Sequence, residues 1–134
     1  MKTTDSYLLA ERGDYQRLQK LSPDEDGFTF PTVIARRAGE IIGFAATNPH
    51  PKHLVLGRAW VSPELRVPGI IMVRLLEAYD RMAILLKQTS YAIVVEQGDK
   101  IEKHLLDFEF ATLYAERGVY RYYRRDLHAK KEAA

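Results

Sequence analysis

Ala59 to Ala83 reads AWVSPELRVPGIIMVRLLEAYDRMA. The stretch starts as the apolar end of a strand, turns through Arg66-Val67-Pro68-Gly69-Ile70-Ile71, and continues as a long amphipathic helix. Met72, Leu75, Leu76, Tyr79, Met82, Ala83 and Leu86 recur at i, i+3, i+4 spacing, which makes one apolar stripe. Pro68 suits the first helical turn, where its missing N–H costs little. The helix is predicted to run to about Lys87. A glycine at a strand-to-helix junction leaves backbone N–H groups open at the positive end of a helix dipole, an arrangement that binds phosphate. The same letters also describe a plain capped helix, so the flanking sequence has to decide.

Upstream, Tyr7-Leu8-Leu9-Ala10 is an apolar run read as a strand. Asp14 is expected to N-cap a helix through Leu18 and Leu21. Ser22 to Gly27 is a polar loop. Two apolar runs, Thr32 to Arg37 and Glu40 to Ala46, flank Ala38-Gly39, a β-hairpin signal. His53 to Val61 follows as a third strand. Simple alternation places His53, Val55, Gly57, Ala59 and Val61 on one face, with Leu54, Leu56, Arg58 and Trp60 on the other. Gly57 within it predicts a bulge or a close backbone approach.

Downstream, Tyr91 to Val95 is a buried strand by composition and Lys100 to Leu106 a short helix. Phe108 to Ala115 and Val119 to Leu127 are two strands joined at Glu116-Arg117-Gly118. The order β-α-β-β-β-α-β-α-β-β predicts an α/β (α+β) chain, a mixed sheet of six or seven strands with helices on both faces.

A length of 134 residues suits one domain, with a core over about 6–127 and a tail over 128–134. Net charge is +2, too small to single out nucleic acid as the partner. The absence of cysteine excludes disulfides, thiolate metal sites and cysteine nucleophiles. No secretory signal and no membrane span are read, so a cytoplasmic location is expected.

The chain resembles the GNAT family of N-acetyltransferases. Tyr7 to Asp14 resembles its opening strand and helix start. Gly39 to Phe44 resembles its second hairpin. Val61 to Ile71 resembles its acyl-CoA turn, and Leu106-Asp107-Phe108 through Leu127 its closing region. The resemblance implies acetyl-CoA, or another acyl-CoA, as co-substrate and an amine as acceptor. It assigns donor binding to Val61 on the strand and to Arg66, Val67, Gly69, Ile70 and Ile71 at the turn. There are departures: Ile71 stands where Gly or Ala is usual, putting a β-branched side chain where the pyrophosphate approaches, and Pro68 removes one amide donor. Asp107 replaces the usual Gly before Phe108. The general-acid Tyr position, about four residues earlier, falls on Lys103, and the general-base strand position falls near Val55.

Glu96, at the end of the Tyr91 strand, is one candidate base, and His53 another. His104 and Tyr114 are candidate acids. Each also has a plain reading: a solvated strand end, a surface histidine, a helix face, or edge packing. Tyr120 to Arg125 interleaves aromatics and cations, as single-strand binders do. Alternation on an edge strand, with arginines that deter edge pairing, gives the same letters. The leading function is thus direct acyl transfer to an amine. The alternative is a degenerate GNAT-fold binding or structural module. Small, divergent members of that kind resemble bacteriophage-encoded or virion-associated proteins, located in host cytoplasm or particle. A homodimer or larger assembly fits either reading.

Overall fold

Ala38 and Gly39 take φ of 53° and 82°, a two-residue turn whose hand matches the twist of the strands it joins. The computed structural model describes residues 5–23, 27–48, 53–66 and 68–127. The turn links β2 (Thr29–Arg37) to β3 (Glu40–Thr47), preceded by β1 (Asp5–Leu9) and α1 (Asp14–Leu21). Then come β4 (Val55–Val61), α2 (Pro68–Leu85), β5 (Ser90–Glu96), α3 (Lys100–Asp107), β6 (Thr112–Arg117) and β7 (Tyr120–Asp126). The strands form one seven-stranded sheet in the order β1-β2-β3-β4-β5-β7-β6. Among the described strands β4 and β5 alone pair in parallel, so α2 must carry the chain back across the sheet between them.

The apolar stripe of α2 and the inner residues Ile101 and Leu105 of α3 share one core with Val33, Ala45, Leu56, Ile93 and Tyr123. Leu18 of α1 packs on the opposite face with Ile34, Phe44 and Ala46. This is the mixed sheet with helices on both faces that the element order predicts. Gly43 allows α2 its close approach: a Cβ there would lie 2.9 Å from the Trp60 carbonyl oxygen and 3.0 Å from Leu75 Cδ1.

Four local expectations are corrected. Asp14 is not the N-cap. It opens the helix itself, accepts the Glu11 N–H at 2.8 Å, and pairs with Arg36, tying α1 to β2. Helix α2 stops at Leu85 because Lys87 adopts a φ of 66°; the Lys87 and Gln88 amides then fold back onto the Ile84 and Ala83 carbonyls, both at 3.0 Å. The faces of β4 do not follow simple alternation. Arg58 pairs with Ala46 and Leu56 with Thr47, so Gly57 is the extra residue of a bulge. Leu54 and Leu56 before the bulge therefore share the α2 side with Ala59 and Val61 after it. Lastly, β7 is an interior strand between β5 and β6, so the edge-strand reading of Tyr120 to Arg125 does not hold. Arg121 and Arg125 are consumed by Glu102 and Asp80, and Tyr123 is buried.

Among the described residues the β4–β5 seam has two paired positions, Val55↔Ala92 and Leu56↔Ile93. A buried ion pair reinforces it. Asp80 of α2 accepts Arg125 Nη2 of β7 at 2.8 Å and the Tyr91 hydroxyl of β5 at 2.7 Å. Burial, reinforced by the Asp80 charge, pushes the Tyr91 phenol well above its ordinary pKa, so it remains a donor. Arg125 also donates to the Phe110 carbonyl at 2.8 Å and stacks 3.9 Å from the centre of that ring. Removing Asp80 strands a guanidinium and a phenol. Asp80→Ala is expected to lower the unfolding free energy by about 3–5 kcal/mol, measured by urea denaturation. A loss below about 1 kcal/mol would show the cluster to be incidental.

Candidate active site

Past Leu56 and Ile93 the two parallel strands part. The Gly57 bulge bends β4 and increases its twist, which carries residues 58–61 away from β5. Asn48 packs against the bulge, and a Cβ on Gly57 would overlap its carboxamide. One edge of β4 remains paired to β3, so its other edge presents unpaired N–H and C=O groups to the gap. The gap is a cleft of about 420 Å³.

Its walls are built from both sides of the chain. Arg58 donates from Nη2 to the Gly27 carbonyl at 2.9 Å and from Nη1 to the Ser22 carbonyl at 3.2 Å. Its guanidinium also lies 4.0 Å from the Phe28 ring centre. Phe28 meets Phe44 edge-on, and Trp60 stacks on Phe44 at 5.8 Å. Ser22, Gly27 and Phe28 are thereby pinned against β4 as one wall.

The other wall is the start of α3. Asp99 caps it, accepting the Ile101 N–H at 3.1 Å. Buried Glu102 accepts the Gly98 N–H at 3.1 Å, Arg121 Nη1 at 3.0 Å and the Tyr123 hydroxyl at 2.8 Å. Burial alone would raise the Glu102 pKa, but the bonds from Gly98, Tyr123 and Arg121 outweigh it and hold the carboxyl below its usual range. Glu96 and Tyr120, directly opposite each other across β5 and β7, line the same cleft.

Beyond Trp60, the last β4 residue that lines the cleft, β4 ends at Val61 and α2 begins at Pro68. The first-turn amides of α2 have no intrahelical acceptors. Ile71 is only 5% exposed and points into the core, so its side chain leaves the space outside the turn open. Ile70 and Arg66 are exposed, and Gly69 is half-buried. A Cβ on Gly69 would sit 3.5 Å from His104 Cε1, so the start of α2 lies beside the last turn of α3. Val67 lies outside the described residues.

The three candidate catalytic side chains are not brought together. Glu96 is in the cleft. His104 lies beside Gly69, stacked on Phe108 at 5.9 Å, in a separate hollow between α2 and α3. Tyr114 lies on the edge strand β6, tilted against Tyr122 at 6.4 Å, in a third hollow that His53 also lines. The closing pair shifts by two residues from its expected place. Glu109, not Asp107, takes a positive φ of 49°, and Phe110 packs inward while Phe108 is 63% exposed. The position about four residues before Glu109 is Leu105, which is fully buried and has no proton to give. Sequence reasoning missed Arg58, Asn48, Tyr120 and the Asp80 cluster; the mid-strand Gly57 is the signal that marks the neighbourhood of the first three. Among the described residues no three His, Asp or Glu could hold a metal ion, and no helix is long and apolar enough to cross a membrane.

No family model and no curated protein matches the sequence. Solved structures do match in shape. A PaiA N-acetyltransferase of Thermoplasma acidophilum, in complex with coenzyme A, aligns over 92% of this chain and 99% of its own, at 10% identity and a TM-score of 0.70. A protein of Desulfovibrio desulfuricans described as a GNAT-family acetyltransferase aligns over 92% and 99%, at 13% identity and 0.70. A chimera of the Vibrio cholerae spermidine N-acetyltransferase SpeG with hSSAT aligns over 96% and 98%, at 12% and 0.68. None of the three is a bacteriophage protein. At these identities the likeness establishes the fold: the chain has the GNAT N-acetyltransferase fold.

The α3 wall depends on an ionised Glu102. Its folded pKa is depressed, so the stability it contributes is present above the unfolded value of about 4.3. That stability is lost as pH falls through the folded value. Melting temperature is expected to drop on acidification below about pH 4.5, and Glu102→Gln to lower it at neutral pH while flattening part of that drop. Calorimetric scans of both proteins between pH 3 and 7 check this; parallel profiles would rule it out.

Proposed function

We propose that the chain is an acyl-CoA-dependent N-acyltransferase that transfers an acetyl group to an amine by direct attack, in the cytoplasm. The observation that carries this reading is the opened β4–β5 seam, whose strand β4 leads directly into the turn and α2. An extended, amide-bearing donor arm can pair with the unpaired β4 edge near Val61, as an added strand would. The first-turn amides at Gly69, Ile70 and Ile71 suit a pyrophosphate, and the family resemblance adds Arg66 and Val67 to the same donor site. The coenzyme A held by the Thermoplasma structure of the same fold supports this donor.

In the proposed reaction the amine nitrogen attacks the thioester carbonyl carbon, the C–S bond breaks, and the thiolate leaves. A β4 backbone N–H near Val61 stabilises the oxyanion. Glu96, directly or through water, first takes one proton from the acceptor ammonium; the nitrogen's second proton, lost as the C–S bond breaks, balances the one the thiolate takes up. Tyr120, one of the hydroxyls that line the same cleft, is our candidate to protonate the thiolate. His104, beside Gly69, serves the donor end, and Tyr114 lies away from the reacting atoms. The second reading is a non-catalytic GNAT-fold module, of the phage-associated kind or another. The buried Leu105 at the shifted acid position favours it.

Isothermal titration with acetyl-CoA is expected to show binding below about 1 mM, and no heat at millimolar ligand overturns the donor reading. Gly69→Ala meets only an ordinary contact within the protein, so it is expected to leave the melting temperature unchanged or raise it. It should weaken acetyl-CoA by about tenfold, since the new methyl group occupies the approach to the amides. Glu96→Gln should lower turnover of an amine panel by about 100-fold with donor affinity unchanged. Donor binding with no turnover by the wild type selects the second reading.

A further inference from the structure

Beside the first turn of α2, bordered by β1 and β2 rather than α3, lies a hollow of about 300 Å³. Arg37, Arg66 and Arg74 converge on it, with Asp5 as the acidic side chain among its walls. Asp5 is already satisfied: Arg37 Nε and Nη2 grip its two oxygens at 2.7 and 2.9 Å in a bidentate pair. That pair cancels in charge. Arg66 and Arg74 have no ion pair or hydrogen bond among the described residues, so the hollow carries a surplus of two positive charges. Both Asp5 and Tyr7 feel the Arg74 charge, which places its guanidinium close to them. The Tyr7 hydroxyl in this wall is buried with no hydrogen-bond partner among the described residues. Leu65, Ile70 and Ile71 supply the apolar remainder.

Two like charges converging on a part-apolar hollow repel each other until an anion joins them. We infer that this hollow is an anion site for a phosphate monoester, with Arg66 and Arg74 holding the phosphate and the isoleucine wall meeting the organic part. Arg66 and Ile70 belong to both this hollow and the donor turn, so occupancy of one site bears on the other. The ester has two sources: a separate phosphorylated metabolite, or the 3′-phosphate of the donor itself. The second source rests on the function proposed above; the first does not.

The test uses the full chain, with inorganic phosphate, coenzyme A and 3′-dephospho-coenzyme A as probes. Millimolar phosphate is expected to raise the melting temperature above that in chloride of equal ionic strength. Arg74→Gln should abolish the rise and Arg74→Lys keep part of it. Arg74 is exposed and glutamine is a good helix former, so the variant should fold; its melting temperature without phosphate checks that. Equal affinity for the two coenzymes then assigns a separate ester. Coenzyme A binding about tenfold tighter than the dephospho form in the wild type but not in Arg74→Gln assigns the donor's own phosphate. If neither coenzyme binds, the donor reading fails while the phosphate arm still decides this site. A phosphate effect that survives Arg74→Gln overturns the inference. So does a phosphate effect no larger than chloride's, together with a coenzyme ratio that Arg74→Gln leaves unchanged.

Discussion

Asp80 is the constraint on which the rest of this structure depends. The sheet is two antiparallel blocks, β1 to β4 and β5 to β7, joined by a parallel seam of two residue pairs. So short a seam cannot by itself hold the blocks in register. Asp80, fully buried on the crossover helix, reaches Tyr91 on the first strand of the second block and Arg125 on the next strand over. A misplaced block would leave a buried carboxylate, a phenol and a guanidinium unpaired, at a cost of several kcal/mol. The apolar stripe of α2 meanwhile packs on the first block. The helix therefore holds both halves at one end of the seam and leaves the other end free to open.

The opening takes its shape from the Gly57 bulge. One extra residue reverses which side chains of β4 face the helices, so Ala59 and Val61 join the core while Arg58 and Trp60 turn to the opposite side. That reversal allows Arg58 to reach the Ser22 and Gly27 carbonyls and pin the wall after α1. Across the gap, Glu102 collects three donors and fixes the start of α3 against β7. One wall of the cleft is thus held by Arg58 and the other braced by Glu102, both through hydrogen bonds to the scaffold. Glu96 and Tyr120 remain to face its interior.

Most of the fold was legible before any coordinates. The order of ten elements, the hairpin at Ala38-Gly39 and the stripe of α2 follow from periodicity and turn chemistry, which are local properties of the chain. The site was legible only in part. Gly69 and the turn around it were visible because a strand-to-helix glycine has few other uses. Glu96 was visible as a carboxylate at a strand end. The relation among Glu96, His104 and Tyr114 was not visible, because three different elements carry them and packing sends them to three different hollows. The closing turn was misplaced by two residues because Asp107-Phe108 and Glu109-Phe110 read alike; the backbone φ of Glu109 and the burial of Phe110 separate them.

By itself the sequence determined the elements, their order and the glycines at which the backbone bends, since these rest on interactions within a few residues. Only the tertiary structure decided that β4 and β5 part after two pairs, that Ile71 turns inward and leaves the space outside the turn open, and that the tyrosine-arginine strand is interior. Those outcomes depend on contacts between residues far apart in the chain. Asp80 with Arg125 and Glu102 with Arg121 are such contacts, and no local pattern encodes them.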